Sequence, residues 1–120
     1  MNAVRSRTAD EGGDISATTL MQRAGLTPDP WQQALLTSSW DRALLNCCRQ
    51  SGKTTASAAL ALETALSGPD SLVLILAPAR RQSKEFLRSA RTLYRDAGPD
   101  VGLDKQSELR IRFENGARII

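Results

Sequence analysis

Apolar and polar positions alternate along the chain with two different periods, which predict strands and helices in turn. The clearest strand covers residues 71–77, because an unbroken apolar run of this kind is typical of a parallel strand covered on both faces. A long helix is predicted for residues 80–97, since at about 100° per residue five apolar side chains fall on one face. These are Phe86, Ala90, Leu93, Tyr94 and Ala97. Gly98-Pro99 is predicted to end this helix.

The N-terminal part of the chain predicts two shorter helices. Residues 1–13 are polar and end in Gly12-Gly13, so they are expected to form a flexible lead. Asp14 is predicted to cap a helix over residues 15–24, which stops at Gly25. A turn at residues 27–30 then opens a second helix over residues 31–39, with Pro30 at or just before its first turn.

The remaining pattern predicts a buried strand over residues 42–47, a loop over residues 47–52 and a helix over residues 53–66. Near the end of the chain, apolar residues from Leu109 to Phe113 alternate with arginines, and Asn115-Gly116 is a hairpin-turn sequence. Strands and helices in this order predict an α/β sheet domain.

Composition narrows the range of functions only slightly. The 120 residues carry a formal net charge of +3, which permits a polyanionic partner without requiring one. No apolar run is long enough to span a membrane, and the N-terminus lacks the apolar core of a secretory signal. Adjacent cysteines, Cys47 and Cys48, seldom bridge, so a reducing cytoplasm is expected. The chain has no histidine, which excludes histidine-based acid–base catalysis.

Residues 47–54 read CCRQSGKT, a Walker A phosphate loop with Cys47 in place of its first glycine. In such a loop the backbone N–H groups surround phosphate oxygens, and the following helix adds its N-terminal dipole. Gly52 would let the backbone approach the phosphates, Lys53 would contact the β- and γ-phosphates, and Thr54 would hold Mg²⁺. The alternative is a basic glycine turn that caps an ordinary helix.

The loop resembles the variant Walker A motif of terminase large subunits, the ATP-driven motors that package double-stranded viral DNA into procapsids. Residues 28–33 (PDPWQQ) are similar to that family's adenine-recognition segment, and residues 76–85 (LAPARRQSKE) are similar to its next motif. The tail, residues 108–120, resembles the hairpin that precedes the family's Walker B strand. The resemblance covers residues 26–120, after an N-terminal lead and short helix in residues 1–25. It implies a P-loop NTPase fold with a parallel, RecA/ASCE-like sheet that is incomplete at the C-terminus.

The resemblance also implies residue roles, with ATP and Mg²⁺ as cofactors. Gln32 would hydrogen-bond the adenine edge, although a solvated helix glutamine is the alternative. Arg49 would stabilise charge on the γ-phosphate, although a salt bridge to a neighbouring acid is the alternative. Lys53 and Arg49 are the implied catalytic residues, and Thr54 is the implied Mg²⁺ ligand. The implied nucleotide-binding residues are Gln32, Cys48, Arg49, Gln50, Ser51, Gly52, Lys53, Thr54 and Thr55.

A basic stripe is predicted on the long helix, where five cations fall within about 80° of one another on the helical wheel. They are Arg80, Lys84, Arg88, Arg91 and Arg95. The stripe could follow a DNA backbone, or it could be the solvated face of an amphipathic helix. Partners implied by the resemblance are double-stranded DNA, a small terminase subunit and a portal, on which the full-length protein forms an oligomeric ring in the bacterial host cytoplasm.

An ATPase of this class also needs an acid to hold Mg²⁺ and a glutamate to orient the attacking water. No apolar strand ending in Asp-Glu occurs in these 120 residues, and the resemblance places that strand and a nuclease domain beyond Ile120. We therefore expect unpaired strand edges, marginal stability or aggregation, and no ATP hydrolysis by this chain alone. Two further interpretations stay open, a segment of another P-loop DNA translocase or helicase and a non-catalytic nucleotide-binding remnant.

Overall fold

The computed structural model describes residues 3–7, 16–43, 52–99 and 101–120, and these form a mixed α/β fold. The helices in these residues are α1 (Ala17–Arg23), α2 (Pro30–Thr37), α3 (Lys53–Ser67) and α4 (Arg80–Ala97). The strands are β1 (Ala3–Arg7), β2 (Trp40–Ala43), β3 (Leu72–Val73), β4 (Leu103–Ser107), β5 (Arg110–Phe113) and β6 (Arg118–Ile119). None of the helices in these residues is long and apolar enough to cross a membrane.

The strands described form two sheets. β1 and β2 pair antiparallel as a two-stranded sheet. The second sheet has the order β3-β6-β5-β4, in which β3 and β6 are parallel and the other neighbours are antiparallel. The described sheet is therefore mixed, whereas the family resemblance implied a parallel one; β3, which the sequence predicted as a parallel strand, does pair in parallel with β6. The antiparallel part arises because a short turn joins β5 to β6, and a turn of that length can only reverse the chain.

Helix α3 lies at the centre of the core and packs against α1, α2, α4, β3 and β6. Its small side chains allow this close approach on several sides. Buried alanines in α3 are Ala56, Ala58, Ala59, Ala61 and Ala65. Helix α4 reaches the sheet through Tyr94, whose ring centroid lies 5.7 Å from that of Phe113 in β5. The helices thus cover one face of the four-stranded sheet.

Helices α3 and α4 match their predicted bounds closely, whereas α1 and α2 differ from the predictions at their ends. α4 spans residues 80–97 as predicted, and Gly98 ends it with φ +59°. α1 begins after Ser16 rather than after Asp14, because the Ser16 hydroxyl accepts the Thr19 N–H at 3.2 Å. Asp14 lies outside the described residues. α2 ends at Thr37, earlier than predicted, because Ser38 is extended with ψ 154°.

Two predictions for the first half of the chain need correction. A flexible lead was expected over residues 1–13, but Ala3–Arg7 forms β1, which pairs with Trp40–Ala43. The polar composition of this segment gave no strand signal, and its structure comes from that pairing. The strand expected over residues 42–47 begins at Trp40, and residues 44–47 lie outside the described residues. Trp40 is fixed there because its indole N–H donates to the Leu35 carbonyl at 3.0 Å.

The strand over residues 71–77 is covered on one face only, so the prediction of two covered faces was wrong. β3 is just Leu72–Val73, although the ladder continues where the Ile75 N–H donates to the Ile120 carbonyl at 2.8 Å. Val73 and Ile75 pack against the core. Leu72, Leu74 and Leu76 point the other way and are 46%, 60% and 80% exposed. This happens because α3 and α4, which contact this sheet, both lie on the side of Val73 and Ile75.

The hairpin at the end of the chain is confirmed, and Gly116 in its turn has φ +88°. Asn115 ties this turn to the helical layer, since its side-chain Nδ2 donates to the Ala65 carbonyl at 2.8 Å. Its Oδ1 accepts the Ala117 N–H at 3.0 Å. β4 was not predicted, because its sequence LDKQS carries no apolar alternation.

Candidate nucleotide-binding site

The part of the phosphate loop described here is its end, at Gly52, and the helix that follows. Residues 47–51 lie outside the described residues, so the roles of Cys48, Arg49, Gln50 and Ser51 stay predictions. The described site consists of Gly52, the first turn of α3 and the side chain of Gln32 from α2. Its geometry is set by two segments that are separate in sequence, α2 and the start of α3 with its N-cap Gly52.

Gly52 is the N-cap of α3 and has φ +90°, in the left-handed region that favours glycine. Its carbonyl accepts the first intrahelical bond, from the Ala56 N–H at 3.0 Å. A Cβ built at Gly52 would lie 2.5 Å from the Gln32 Nε2. Position 52 therefore favours glycine for two reasons, the positive φ of its backbone and the close approach of the Gln32 side chain.

Gln32 is buried, with 4% of its surface exposed, and both ends of its amide are bonded within the chain. Its Nε2 donates to the Gly52 carbonyl at 2.8 Å, and its Oε1 accepts the Asp29 N–H at 2.9 Å. The solvated-glutamine alternative is thereby excluded. One N–H and one lone pair of the amide remain for a ligand such as adenine.

The first turn of α3 has the features that a phosphate group needs. The N–H groups of Lys53, Thr54 and Thr55 belong to the first turn, where no intrahelical partner exists, and the helix dipole adds partial positive charge. Lys53 is half-buried and Thr54 is exposed, so a ligand can reach both side chains. An N–H, an ammonium group and a hydroxyl at these positions are groups that could contact a phosphate. The described residues contain no cluster of three or more histidine, cysteine or acidic side chains that could bind a metal without the nucleotide.

An open groove of about 320 Å³ lies beside this turn, between α1, α3 and α4. Thr55 and Ala58 of α3 form one wall, and Arg88 and Asp96 of α4 form another. The groove combines an apolar floor with one charge of each sign. It borders the candidate site through Thr55.

The basic stripe on α4 is divided between two environments. Lys84 forms a 2.9 Å ion pair with Glu108 in the turn between β4 and β5. That hydrogen bond, helped by the charges of Arg80 and Arg91, lowers the pKa of the Glu108 carboxyl. Arg88 instead lines the groove, and Arg95 lies 3.4 Å from Asp96. The stripe is therefore partly neutralised by the chain itself.

Sequence reasoning missed the link between α2 and the phosphate loop. Gln32 was expected to contact adenine, whereas its described partners are Gly52 and Asp29. The Pro-Asp-Pro-Trp-Gln turn carried a signal for the bond to Asp29 alone, because an N-cap residue followed three positions later by glutamine favours that local bond. Comparison of the chain with protein-family models, curated proteins and solved structures found no match.

Proposed function

We propose that the chain is the ATP-binding segment of a terminase large subunit, the motor that uses ATP to package double-stranded viral DNA into procapsids. The proposed fold is a P-loop NTPase of the RecA/ASCE type. The sequence motifs carry the family assignment, in their order and spacing. The geometry around Gly52 supports the nucleotide site.

One observation carries the proposal most directly. Gly52 turns the chain with φ +90° into α3, and buried Gln32 donates to its carbonyl, so a hydrogen bond within the chain holds the end of the loop. A fixed loop end in front of a helix N-terminus is a preorganised anion site. The GKT sequence then supplies an ammonium group and a hydroxyl at the first two helical positions.

In this proposal each side chain has a separate task. Lys53 would neutralise charge on the β- and γ-phosphates, and the Thr54 hydroxyl would hold Mg²⁺, which would supply further positive charge to the phosphates. Arg49 stabilises charge on the γ-phosphate. The activated water and its glutamate are not supplied by these residues, so this chain is expected to bind ATP without turnover.

The test is displacement of a fluorescent ATP analogue from wild-type chain and from two lysine variants. Lys53→Ala should weaken binding by about tenfold to a hundredfold, the usual effect of losing one hydrogen bond to a charged group. Lys105→Ala removes the same charge from β4, outside the proposed site, and should leave affinity unchanged. Equal effects of the two substitutions would reject the site.

Continued reading of the source DNA beyond the codon for Ile120 tests the family assignment separately. The proposal expects an apolar strand ending in Asp-Glu and, later, a carboxylate-rich nuclease domain. Helicase motifs in that place would instead favour another DNA translocase. A stop codon at once would favour a nucleotide-binding remnant.

A further inference from the structure

The four-stranded sheet has one face covered by helices and one face open. Residues paired across neighbouring strands point to the same side, so the register identifies the open face. Leu72 pairs with Arg118, Arg118 with Arg112, and Arg112 with Lys105. All four side chains are exposed. Arg110, two residues from Arg112 on the same strand, lies on the same face and is also exposed.

The cations on this face lie close together. Arg118, Arg112 and Lys105 occupy three neighbouring strands, so the row is about 10 Å long. Like charges directly opposite each other on neighbouring strands destabilise a sheet, and this row has two such pairs. Only Arg112 has an acidic partner there, since its Nε lies 3.5 Å from an oxygen of Asp104. Within the described residues, Arg110 and Arg118 have no ion pair. An anionic ligand would relieve this repulsion.

The open face is less neutralised than the basic stripe on α4. Lys84 and Arg95 of the stripe each lie beside an acid of the chain, and Glu108 attracts Arg80 and Arg91 as well. Of the four cations on the sheet face, only Arg112 forms an ion pair with an acid of the described residues, namely Asp104. In the described residues, the Glu108 carboxylate forms its ion pair with Lys84 of α4 and not with a cation of the sheet face.

We propose that this open face, made of Lys105, Arg110, Arg112 and Arg118, binds the phosphate backbone of duplex nucleic acid. Duplex DNA carries one negative charge per about 1.7 Å of axis, so several phosphates lie within the length of the row. Phe113, the one aromatic residue in β3 to β6, is buried on the opposite face. Base stacking is thus unavailable, and contacts to phosphates alone carry no sequence information. This surface is separate from the proposed nucleotide site.

The experiment measures fluorescence anisotropy of a labelled mixed-sequence duplex with the full chain at several salt concentrations, without nucleotide. A sheet variant combines Arg110→Gln, Arg112→Gln and Arg118→Gln. A matched helix variant combines Arg81→Gln, Arg88→Gln and Arg95→Gln, all exposed on α4, so both variants lose three positive charges. The sheet variant should bind about tenfold or more weakly, and its salt slope should be shallower by about 2.7.

The helix variant should lose less than about threefold, since its charges act only at a distance. Equal losses in the two variants, or no binding by the wild-type chain, would overturn the proposal. Unlabelled duplex and polyglutamate are then compared as competitors. Extended polyglutamate carries one charge per about 3.3–3.6 Å, half the density of duplex DNA or less, so it should compete less well than duplex at equal charge. Equal competition would overturn the proposal in favour of an acidic protein partner.

The sheet variant is expected to fold, because the substitutions remove opposed like charges, and a melting curve checks this. Should it fail to fold, Arg110→Gln and Arg118→Gln are measured singly. Each should make the salt slope shallower by about one. An unchanged slope in both single variants would overturn the proposal.

Discussion

The side-chain amide of Gln32 donates to the carbonyl of Gly52, twenty residues later, at 2.8 Å. The same amide accepts the Asp29 N–H, so the first turn of α2 and the first turn of α3 share one side chain. A change at Gln32 or Gly52 should therefore affect the other.

Gly52→Ala should destabilise the chain more than Gly25→Ala. Both glycines have positive φ, +90° and +83°, so alanine at either position costs about 1–2 kcal/mol of backbone strain. Only at Gly52 would the new Cβ also meet Gln32, while nothing lies within 4 Å at Gly25. Urea unfolding measures both losses. Equal free energies of unfolding for the two variants would show that the contact with Gln32 is unimportant.

Gln32→Ala should weaken ATP and GTP binding by similar factors. The substitution leaves the Gly52 carbonyl and the Asp29 N–H without their partner, which releases the loop end whatever base is bound. Displacement assays with both nucleotides separate this effect from base recognition. A loss confined to ATP would instead assign Gln32 to the adenine edge, as the family resemblance implies.

Leu74→Lys should reduce self-association of the chain. Leu74 is 60% exposed beside β3, the terminal strand of the described sheet, and a charge on such an edge opposes pairing with another chain. Leu26→Lys is the control, because Leu26 is 42% exposed but lies in the loop after α1. Light scattering over a range of concentrations gives the comparison. The idea fails if Leu26→Lys is as effective, or if the wild-type chain stays monomeric and melts in a sharp reversible transition.

Lys84→Gln should raise the pKa of Glu108 towards its ordinary value of 4.5. The hydrogen bond from Lys84 favours the carboxylate, so the folded pKa lies below the unfolded one. The resulting stabilisation is present above the unfolded pKa and is lost as pH falls through the folded pKa. NMR titration of the Glu108 carboxyl carbon measures the change. Arg95→Gln, farther along α4, should not alter the titration, and a pKa unaffected by Lys84→Gln would contradict this assignment.

The elements with strong local signals were predictable from the sequence. α4 has a long apolar face and a Gly-Pro stop, and the Asn115-Gly116 turn has a sequence that favours positive φ. The extra strands were not predictable, because β1 and β4 are polar and owe their structure to pairing with distant residues. The apolar run at residues 71–77 indicated a strand. It could not indicate how many faces the rest of the chain would cover.

The candidate site also has one part that the sequence predicted and another that it did not. The loop motif predicted a glycine at position 52 for close approach to phosphates, whereas its left-handed turn into α3, with φ +90°, was seen only in the structure. The bond from Gln32 joins residues that are far apart in sequence, so it required the structure. The open basic face was hidden for a similar reason. The sequence shows Arg112 and Arg118 as two separate residues. Whether they lie opposite each other on neighbouring strands depends on the register of the hairpin.

The most direct test of the proposed nucleotide site is an amide NMR titration of the wild-type chain with Mg·ATP. The account predicts saturable shifts centred on the amides of Gly52, Lys53, Thr54 and Thr55, with Gln32 side-chain signals moving together with them. Lys53→Ala should weaken the shifts at the same positions. Absence of shifts in the first turn of α3 at millimolar ATP, or shifts confined to other surfaces, would contradict the assignment of this turn as the phosphate site.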